Sequence, residues 1–404
     1  MKKGSYIYDF ILFALITSLI FGLMGNGAQP VRLLIIALSP FVLTDVFSRP
    51  HKSIYYYRYE CFFLLFWFAW ALSFFYKAVD VTESAKHLIY LPVHMMGFLE
   101  ALWAATKARD PQRTVRYGWL VLIALSIPVA VYEFFTDFHL PMAFQDSGET
   151  LYVNGIHIER PFASVTFGNL NSYNTVLCWA LPSLFMCNLY PVNKKEQTVG
   201  MLLMALVSLI IVANASRGAI LCLGLMLLTY VVAYYRLGRN RIMLIVILML
   251  GFGAMVYYLG EMFLLIIERF SDQGMEDTGR LANIVQGAHA LSDSWGLGIG
   301  IGNYEPIMNS IYHVDPPAPH NLFLEVLVLF GLPIFIGFLG MYLHLARIGF
   351  SRGTSVNRDM LGFCMAATLL AGVVDSNYVM KATTWMFLAS AYIYVDSRYN
   401  CTAA

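Results

Sequence analysis

Long apolar runs recur along the whole chain of 404 residues. Hydrophobic residues make up 59% of the sequence and charged residues only 13%, whereas average soluble proteins carry about 25% charged residues. About 20 apolar residues cross a bilayer as one helix. The sequence therefore predicts an all-α polytopic membrane protein, a single membrane domain over 1–404, with about twelve transmembrane helices near 5–23, 33–48, 59–76, 87–105, 117–135, 172–190, 199–215, 218–235, 242–267, 321–345, 359–377 and 382–397.

The distribution of lysine and arginine predicts the orientation of these spans. With the N-terminus in the cytoplasm, 18 of the 26 basic residues fall in cytoplasmic segments, as the positive-inside rule requires. The start of the chain could also be a signal peptide, but we interpret 5–23 as the first retained span because it is longer than a usual signal core. Both termini are then cytoplasmic in a bacterial inner (cytoplasmic) membrane. The remaining eight cations lie outside: Arg32, Lys77, Lys86, Arg160, Arg217, Arg269, Arg280 and Lys381.

In this orientation two long polar segments, 136–171 and 268–320, lie on the outer, periplasmic face. Nucleoside triphosphates are absent there, and no phosphate-binding GxxxxGK[ST] motif occurs in the chain. The net charge of +1 and the lack of a basic arm argue against nucleic-acid binding. The six cysteines form no CxxC motif, and neither polar segment has a metal-ligand spacing, so we expect no metal and no cofactor.

Two outer arginines are candidates for binding a phosphate group. Arg217 lies in the tight break Asn214-Ala215-Ser216-Arg217-Gly218. A plain interpretation is a snorkelling side chain at a helix end, but its forked guanidinium also fits a diphosphate. Arg280 begins a stretch whose apolar residues recur at helical spacing, which predicts an amphipathic outer helix capped by Thr278 or Asp277. Alternatively, Arg280 is a solvated surface residue. The free N–H groups at the start of a helix favour binding of an anion, which supports the phosphate interpretation.

His320 lies between Pro319 and Asn321 at the mouth of the tenth predicted span. Imidazole titrates near neutral pH, so His320 is a candidate general base, with His313 as the weaker alternative. Most single histidines are structural. Glu325 is a carboxylate inside the same span and needs a partner, for which Arg217 is one candidate. The glycines of 296–302 do not follow a strand, so we expect them to allow close backbone turns rather than to bind a dinucleotide.

The other outer segment contributes Arg160-Pro161-Phe162 and an asparagine-rich run ending at Asn171 and Asn174. Asparagines and aromatic rings suit a sugar-binding surface, and they also suit a membrane-interface belt. Arg160 and Arg269 are possible supporting residues, together with Asn321, Glu325 and His313.

Taken in order, these motifs resemble the O-antigen ligase and O-antigen polymerase superfamily. The resemblance rests on Ser216-Arg217-Gly218, Gly279-Arg280 opening an outer helix, and Pro319-His320-Asn321 running to Gly331. It also includes the segment from Arg160 to Asn171. Ile334 stands where the ligase pattern has a further glycine, which is a departure from that branch of the superfamily.

The resemblance implies a metal-independent, inverting glycosyltransferase that uses an undecaprenyl-diphosphate-linked glycan within a bilayer of membrane lipids. Arg217 and Arg280 would hold the diphosphate leaving group, and His320 would deprotonate the acceptor hydroxyl. The first hypothesis is an O-antigen ligase that uses a lipid A–core sugar as acceptor. The second is a polymerase that extends the growing glycan or another exopolysaccharide. A polysaccharide transporter is the third, but no internal repeat supports it.

Overall fold

A computed structural model describes residues 5–48, 57–136, 138–142, 151–153, 156–158, 161–214, 216–238, 278–314 and 318–399. These residues form an all-α bundle with one two-stranded antiparallel hairpin, β1 (Leu151–Val153) and β2 (Ile156–Ile158). The helices are α1 (Tyr6–Thr17), α2 (Pro30–Ser48), α3 (Arg58–Ser73), α4 (Val81–Ala105), α5 (Pro111–Thr136), α6 (Leu170–Leu189), α7 (Lys194–Ala213), α8 (Arg217–Arg236), α9 (Thr278–Asp293), α10 (Tyr304–Ser310), α11 (Leu322–Arg352), α12 (Ser355–Ala371) and α13 (Ala382–Val395).

The predicted class, a polytopic membrane protein, is confirmed. Eleven of the predicted spans coincide with described helices, and the ninth, 242–267, lies outside the described residues. Among the described residues, six helices are long and apolar enough to cross a bilayer, and Tyr6–Phe21 and Ala382–Val395 are shorter apolar helices. The six are Arg58–Lys77, Val81–Ala105, Pro111–Thr136, Lys194–Ala213, Gly218–Arg236 and Leu322–Ser351.

Successive helices run in alternating directions from α1 to α8 and again from α11 to α13, so this bundle has two ends. At one end α8 finishes where α12 begins, and Arg236 pairs with Asp359. At the other end the Leu322 N–H, at the start of α11, donates to the Gly372 carbonyl just beyond α12 (2.7 Å). We call the first the Arg236 end. The second, which carries the starts of α2, α4, α6, α8, α11 and α13, is the His320 end.

Helices α6 and α13 form the centre of the bundle, because almost every residue in both is buried. Trp179 of α6 stacks on Phe387 of α13 with ring centroids 5.1 Å apart. The outer helices instead expose large apolar side chains on one face, such as Phe62 and Leu65 of α3. This is the pattern of helices whose outer face contacts lipid.

Helix α11 is broken at Gly331, although its sequence predicts one uninterrupted span. Gly331 has a φ of +79°, and Pro333 follows it. The glycine segment 296–302 fills the break: the Ile299 N–H donates to the Val328 carbonyl at 3.0 Å, and the Leu332 N–H donates to the Gly296 carbonyl at 2.8 Å. A Cβ at Gly298 (φ +89°) would lie 2.6 Å from the Gly331 nitrogen. The prediction that these glycines allow close backbone turns is confirmed.

Candidate active site

The predicted site residues are described to different extents. His313, His320, Asn321 and Glu325 are described with their side chains. Arg217 and Arg280 are described as the first residue of α8 and the third residue of α9, without their side chains. The two predicted supporting arginines, Arg160 and Arg269, lie outside the described residues.

His320 is half-buried and has a φ of +42°, an uncommon conformation for a residue with a side chain. The chain after it is firmly held. The Asn321 side chain caps α11 by accepting the N–H groups of Phe323 (2.9 Å) and Leu324 (3.1 Å). These contacts fix the backbone directly after His320 and so help to orient its imidazole at the start of α11. His313 is exposed, also with a positive φ of 55°, in the segment before Pro319.

Glu325 is 1% exposed and accepts two backbone hydrogen bonds. The N–H groups of Tyr378 and Val379 donate to its carboxylate at 2.8 and 3.0 Å. The predicted need for a partner is thus met by the turn Tyr378–Met380, which lies just before α13. The candidate partner Arg217 has no described side chain. Glu325 therefore fixes this turn beside the start of α11.

The helix predicted around Arg280 is confirmed as α9, and its location on the outer face stays a prediction. Its buried positions are Asn283, Gly287 and Ala290, which form a narrow face against α11. A Cβ at Gly287 would lie 3.2 Å from Val328, so the two backbones approach closely. The larger apolar residues Leu281, Ile284 and Val285 are exposed on the opposite face. Arg280 lies in the first turn of a helix packed on the helix that His320 precedes.

The Arg217 turn is hydrogen-bonded to the segment that follows Arg160. Asn214, 1% exposed, accepts the Ala163 N–H at 2.8 Å and donates to the Ala163 carbonyl at 3.1 Å and to Asn174 at 2.9 Å. Ser216, immediately before Arg217, donates to Asn171 at 2.9 Å. Two stretches identified separately in the sequence therefore form one structure at the start of α8.

Glu133 of α5 is a buried residue that the sequence analysis did not select. It is 1% exposed and accepts the N–H groups of Ser164 and Val165, both at 2.8 Å. Val165 has a φ of +51°, so this carboxylate holds an unusual backbone turn in place. An acidic residue inside a predicted span was the available signal, because buried carboxylates in membranes are rare.

A polar cavity of about 440 Å³ opens at the His320 end. Its size lies in the range of small-molecule sites, about 300–1,000 Å³. Acidic and amide side chains of α4, α10, α11 and the loop before α13 line it: Asp80, Glu83, Glu305, Glu325, Asn309 and Asn377. Tyr304 also lines it, and burial raises the pKa of its phenol, which stays protonated and able to donate. We call this the acidic cavity.

Comparison with known proteins identifies the chain's relatives. Residues 202–339, which include Arg217, Arg280 and His320, match the O-antigen ligase family model. The chain is 26% identical over 347 residues to the teichuronic acid biosynthesis protein TuaE of Bacillus subtilis (strain 168), covering 81% of this chain and 69% of that protein. Both similarities support a place for the chain in the O-antigen ligase and O-antigen polymerase superfamily and a glycosyltransferase-like role in polysaccharide biosynthesis.

Proposed function

We propose that this protein transfers a glycan from an undecaprenyl-diphosphate carrier to a sugar hydroxyl at the His320 end. The observation that carries the proposal is the acidic cavity, because one of its walls is Glu325, on the helix that begins directly after His320 and Asn321. Carboxylates, amides and a protonated phenol are suited to bind sugar hydroxyls. The same carboxylates repel a diphosphate, so the leaving group must lie elsewhere at this end.

The chemistry requires a base for the hydroxyl and positive charge for the leaving group. His320 takes the proton from the acceptor hydroxyl as its oxygen attacks the anomeric carbon, and the bond to the diphosphate oxygen breaks. Arg217 and Arg280, each in the first turn of a helix, stabilise the charge that develops on the diphosphate. Attack from the side opposite the diphosphate inverts the anomeric configuration. The mechanism needs no metal ion.

The acceptor divides the proposal into two versions. Transfer to a lipid A–core sugar, as an O-antigen ligase, is supported by the family model that covers all three residues. Extension of a carrier-linked glycan, as a polymerase, is supported by the relative named for teichuronic acid biosynthesis and by Ile334, which replaces a glycine of the ligase pattern. In both versions the His320 end faces the outside of the cytoplasmic membrane, with both termini inside.

The reaction can be tested with the full-length protein in nanodiscs. Undecaprenyl-diphosphate-linked oligosaccharide and an acceptor glycan are supplied, and product and released undecaprenyl diphosphate are measured by mass spectrometry. We expect His320→Ala to slow transfer about 10²–10⁴-fold, as loss of a general base does. Arg280→Ala should slow it about 10²–10³-fold.

Two control variants match these substitutions. His289→Ala removes an exposed histidine from α9, and Arg113→Gln removes an arginine from the Arg236 end. Both should retain normal transfer. Near-normal transfer by His320→Ala would exclude His320 as the base, and no transfer by the wild-type protein with either acceptor would refute the proposal.

Deletion of the gene in its host distinguishes the two acceptors. Carrier-linked long polymer accumulating without attachment to its final acceptor indicates a ligase. Surface glycan limited to a single repeat unit indicates a polymerase. An unchanged surface glycan profile would contradict both versions.

A further inference from the structure

Arg32 is a buried cation at the His320 end whose partners are all neutral. It is the third residue of α2 and is 7% exposed. Its Nε donates to Nε2 of His94 at 3.1 Å, and its Nη1 lies 3.5 Å from the Gly27 carbonyl oxygen. Its guanidinium lies 3.6 Å from the centre of the Tyr90 ring. Within the described part of the chain, no carboxylate pairs with it.

A buried guanidinium without a counter-charge is unfavourable, because removal of water from the charge is not balanced by an ion pair. The position of Arg32 adds to this. In the first turn of α2, the helix dipole repels a cation and attracts an anion. The contacts to His94 and Tyr90 orient the guanidinium but do not neutralise it. An anion beside Arg32 would supply the missing counter-charge.

The guanidinium lines a small cavity, the Arg32 pocket, between the starts of α2, α6 and α13. Its other charged groups, Lys381 and Asp375, pair with each other, and Lys381 also donates to Ser172 at 2.9 Å. The opposite charges of Lys381 and Asp375 cancel, so the pocket keeps the one positive charge of Arg32. Ala382 and Thr383, the first residues of α13, also line it, and α13 has no side-chain cap.

We propose that the Arg32 pocket binds one oxyanion, a phosphate or carboxylate group. Arg32 supplies the uncompensated charge, and the uncapped first turn of α13 supplies N–H groups, the usual surroundings of a bound anion. The pocket volume is about 60 Å³. One water needs about 10–15 Å³ of such space, so the pocket holds a group the size of a few waters. A sugar ring or a whole diphosphate is too large.

This pocket is distinct from the acidic cavity. The turn Tyr378–Met380 separates them: Tyr378 lines the Arg32 pocket, Met380 lines both, and the Tyr378 and Val379 N–H groups bind Glu325 in the acidic cavity. The pocket is also lined by none of the residues assigned above to base or leaving group. It is a second anion site that shares this turn with the acidic cavity.

Thermal unfolding of the full-length protein tests the site without reference to catalysis. The protein, in phosphatidylcholine nanodiscs, is unfolded while tryptophan fluorescence is recorded, in chloride, inorganic phosphate or acetate at equal ionic strength. A parallel sample uses nanodiscs that contain phosphatidylglycerol. We expect at least one anion to raise Tm saturably. A response to phosphate or acetate identifies a soluble oxyanion, and a response only to phosphatidylglycerol identifies a lipid phosphate.

Three variants assign the response to the pocket. Arg32→Gln should abolish it, and Lys77→Gln, which removes another cation from the same end, should retain it. Gln29→Glu places a carboxylate of nearly identical shape in the pocket wall. It should raise Tm in chloride alone and remove the anion response, which keeps the test informative even if Arg32→Gln does not fold. Absence of any response in the wild-type protein, a response retained by Arg32→Gln, or a lower Tm in Gln29→Glu would overturn the proposal.

Discussion

The two ends of the bundle differ in what their buried carboxylates bind. At the Arg236 end, cations are paired with carboxylates: Arg116 with Glu196 at 2.7 Å, Lys107 with Asp45 at 2.6 Å, and Arg236 with Asp359. At the His320 end, Lys381 also pairs with Asp375, but the buried carboxylates Glu133 and Glu325 each accept two backbone N–H groups. The buried Arg32 has no carboxylate partner among the described residues.

This difference distinguishes charged side chains that stabilise the fold from charged side chains that remain available to bind ligands. A cation paired with a carboxylate holds helices together but offers little to a substrate. Carboxylates that hold turns through N–H groups shape a site without neutralising its arginines. The end that carries Arg217, Arg280 and His320 has the second arrangement, which suits the proposed site for an anionic leaving group.

The strongest test of this comparison is Arg116→Ala at the Arg236 end. The Arg116 and Glu196 side chains are only 5% and 3% exposed. Removing one partner leaves a buried charge, so we expect the free energy of unfolding to fall by about 3–5 kcal/mol. Transfer per folded molecule should not change. Thermal unfolding and the nanodisc transfer assay measure the two effects.

A double variant, Arg116→Met with Glu196→Leu, provides the control. It removes both charges and should recover most of the lost stability. If Arg116→Ala were no more destabilising than Arg32→Gln, the proposed difference between the ends would be wrong.

A smaller effect is expected from Glu133→Ala at the His320 end. The change leaves the buried N–H groups of Ser164 and Val165 without their acceptor, which should lower the free energy of unfolding by about 2–3 kcal/mol in total. The segment it holds is bonded through Asn214 to the Arg217 turn. Transfer should therefore fall as well, unlike in Arg116→Ala.

Glu133→Gln retains one side-chain oxygen and should lose less of both properties. A Glu133→Ala protein with reduced stability but full transfer would show that this segment does not position the site.

The sequence predicted those features that depend on local pattern. The lengths of the apolar runs predicted the spans, because the thickness of the bilayer fixes the length of a helix that crosses it. Apolar spacing after Arg280 predicted α9, since helical periodicity is visible within a few turns. The ordered arginines and histidine identified the superfamily. Each of these signals is contained in a short stretch of chain.

The features that the sequence did not predict depend on contacts between distant residues. Glu325 accepts hydrogen bonds from the backbone N–H groups of Tyr378 and Val379. Residue types do not reveal which backbone N–H groups will donate to a distant side chain. The break at Gly331 lies in a continuous apolar run, where hydropathy does not change. Arg32 was counted among the outer cations, but only the fold shows that its neighbours are neutral.

The smallest expected effect on stability comes from two N-cap asparagines, one at each end of the bundle. Asn321 caps α11 directly after His320, and Asn193 caps α7 at the Arg236 end by accepting the Glu196 N–H at 2.9 Å. Loss of such a cap lowers stability by about 1 kcal/mol, so Asn321→Ala and Asn193→Ala should have similar, slightly reduced Tm values.

Their transfer rates should differ. Asn321→Ala removes the hydrogen bonds that hold the backbone next to His320. A displacement of the imidazole by about 1 Å can slow a reaction about 10²-fold. Asn193→Ala is far from the site and should transfer glycan at the normal rate. Because the two variants lose the same kind of contact, unequal rates at equal stability isolate the positioning of His320. Equal rates would mean that the geometry of α11's first turn does not control the base.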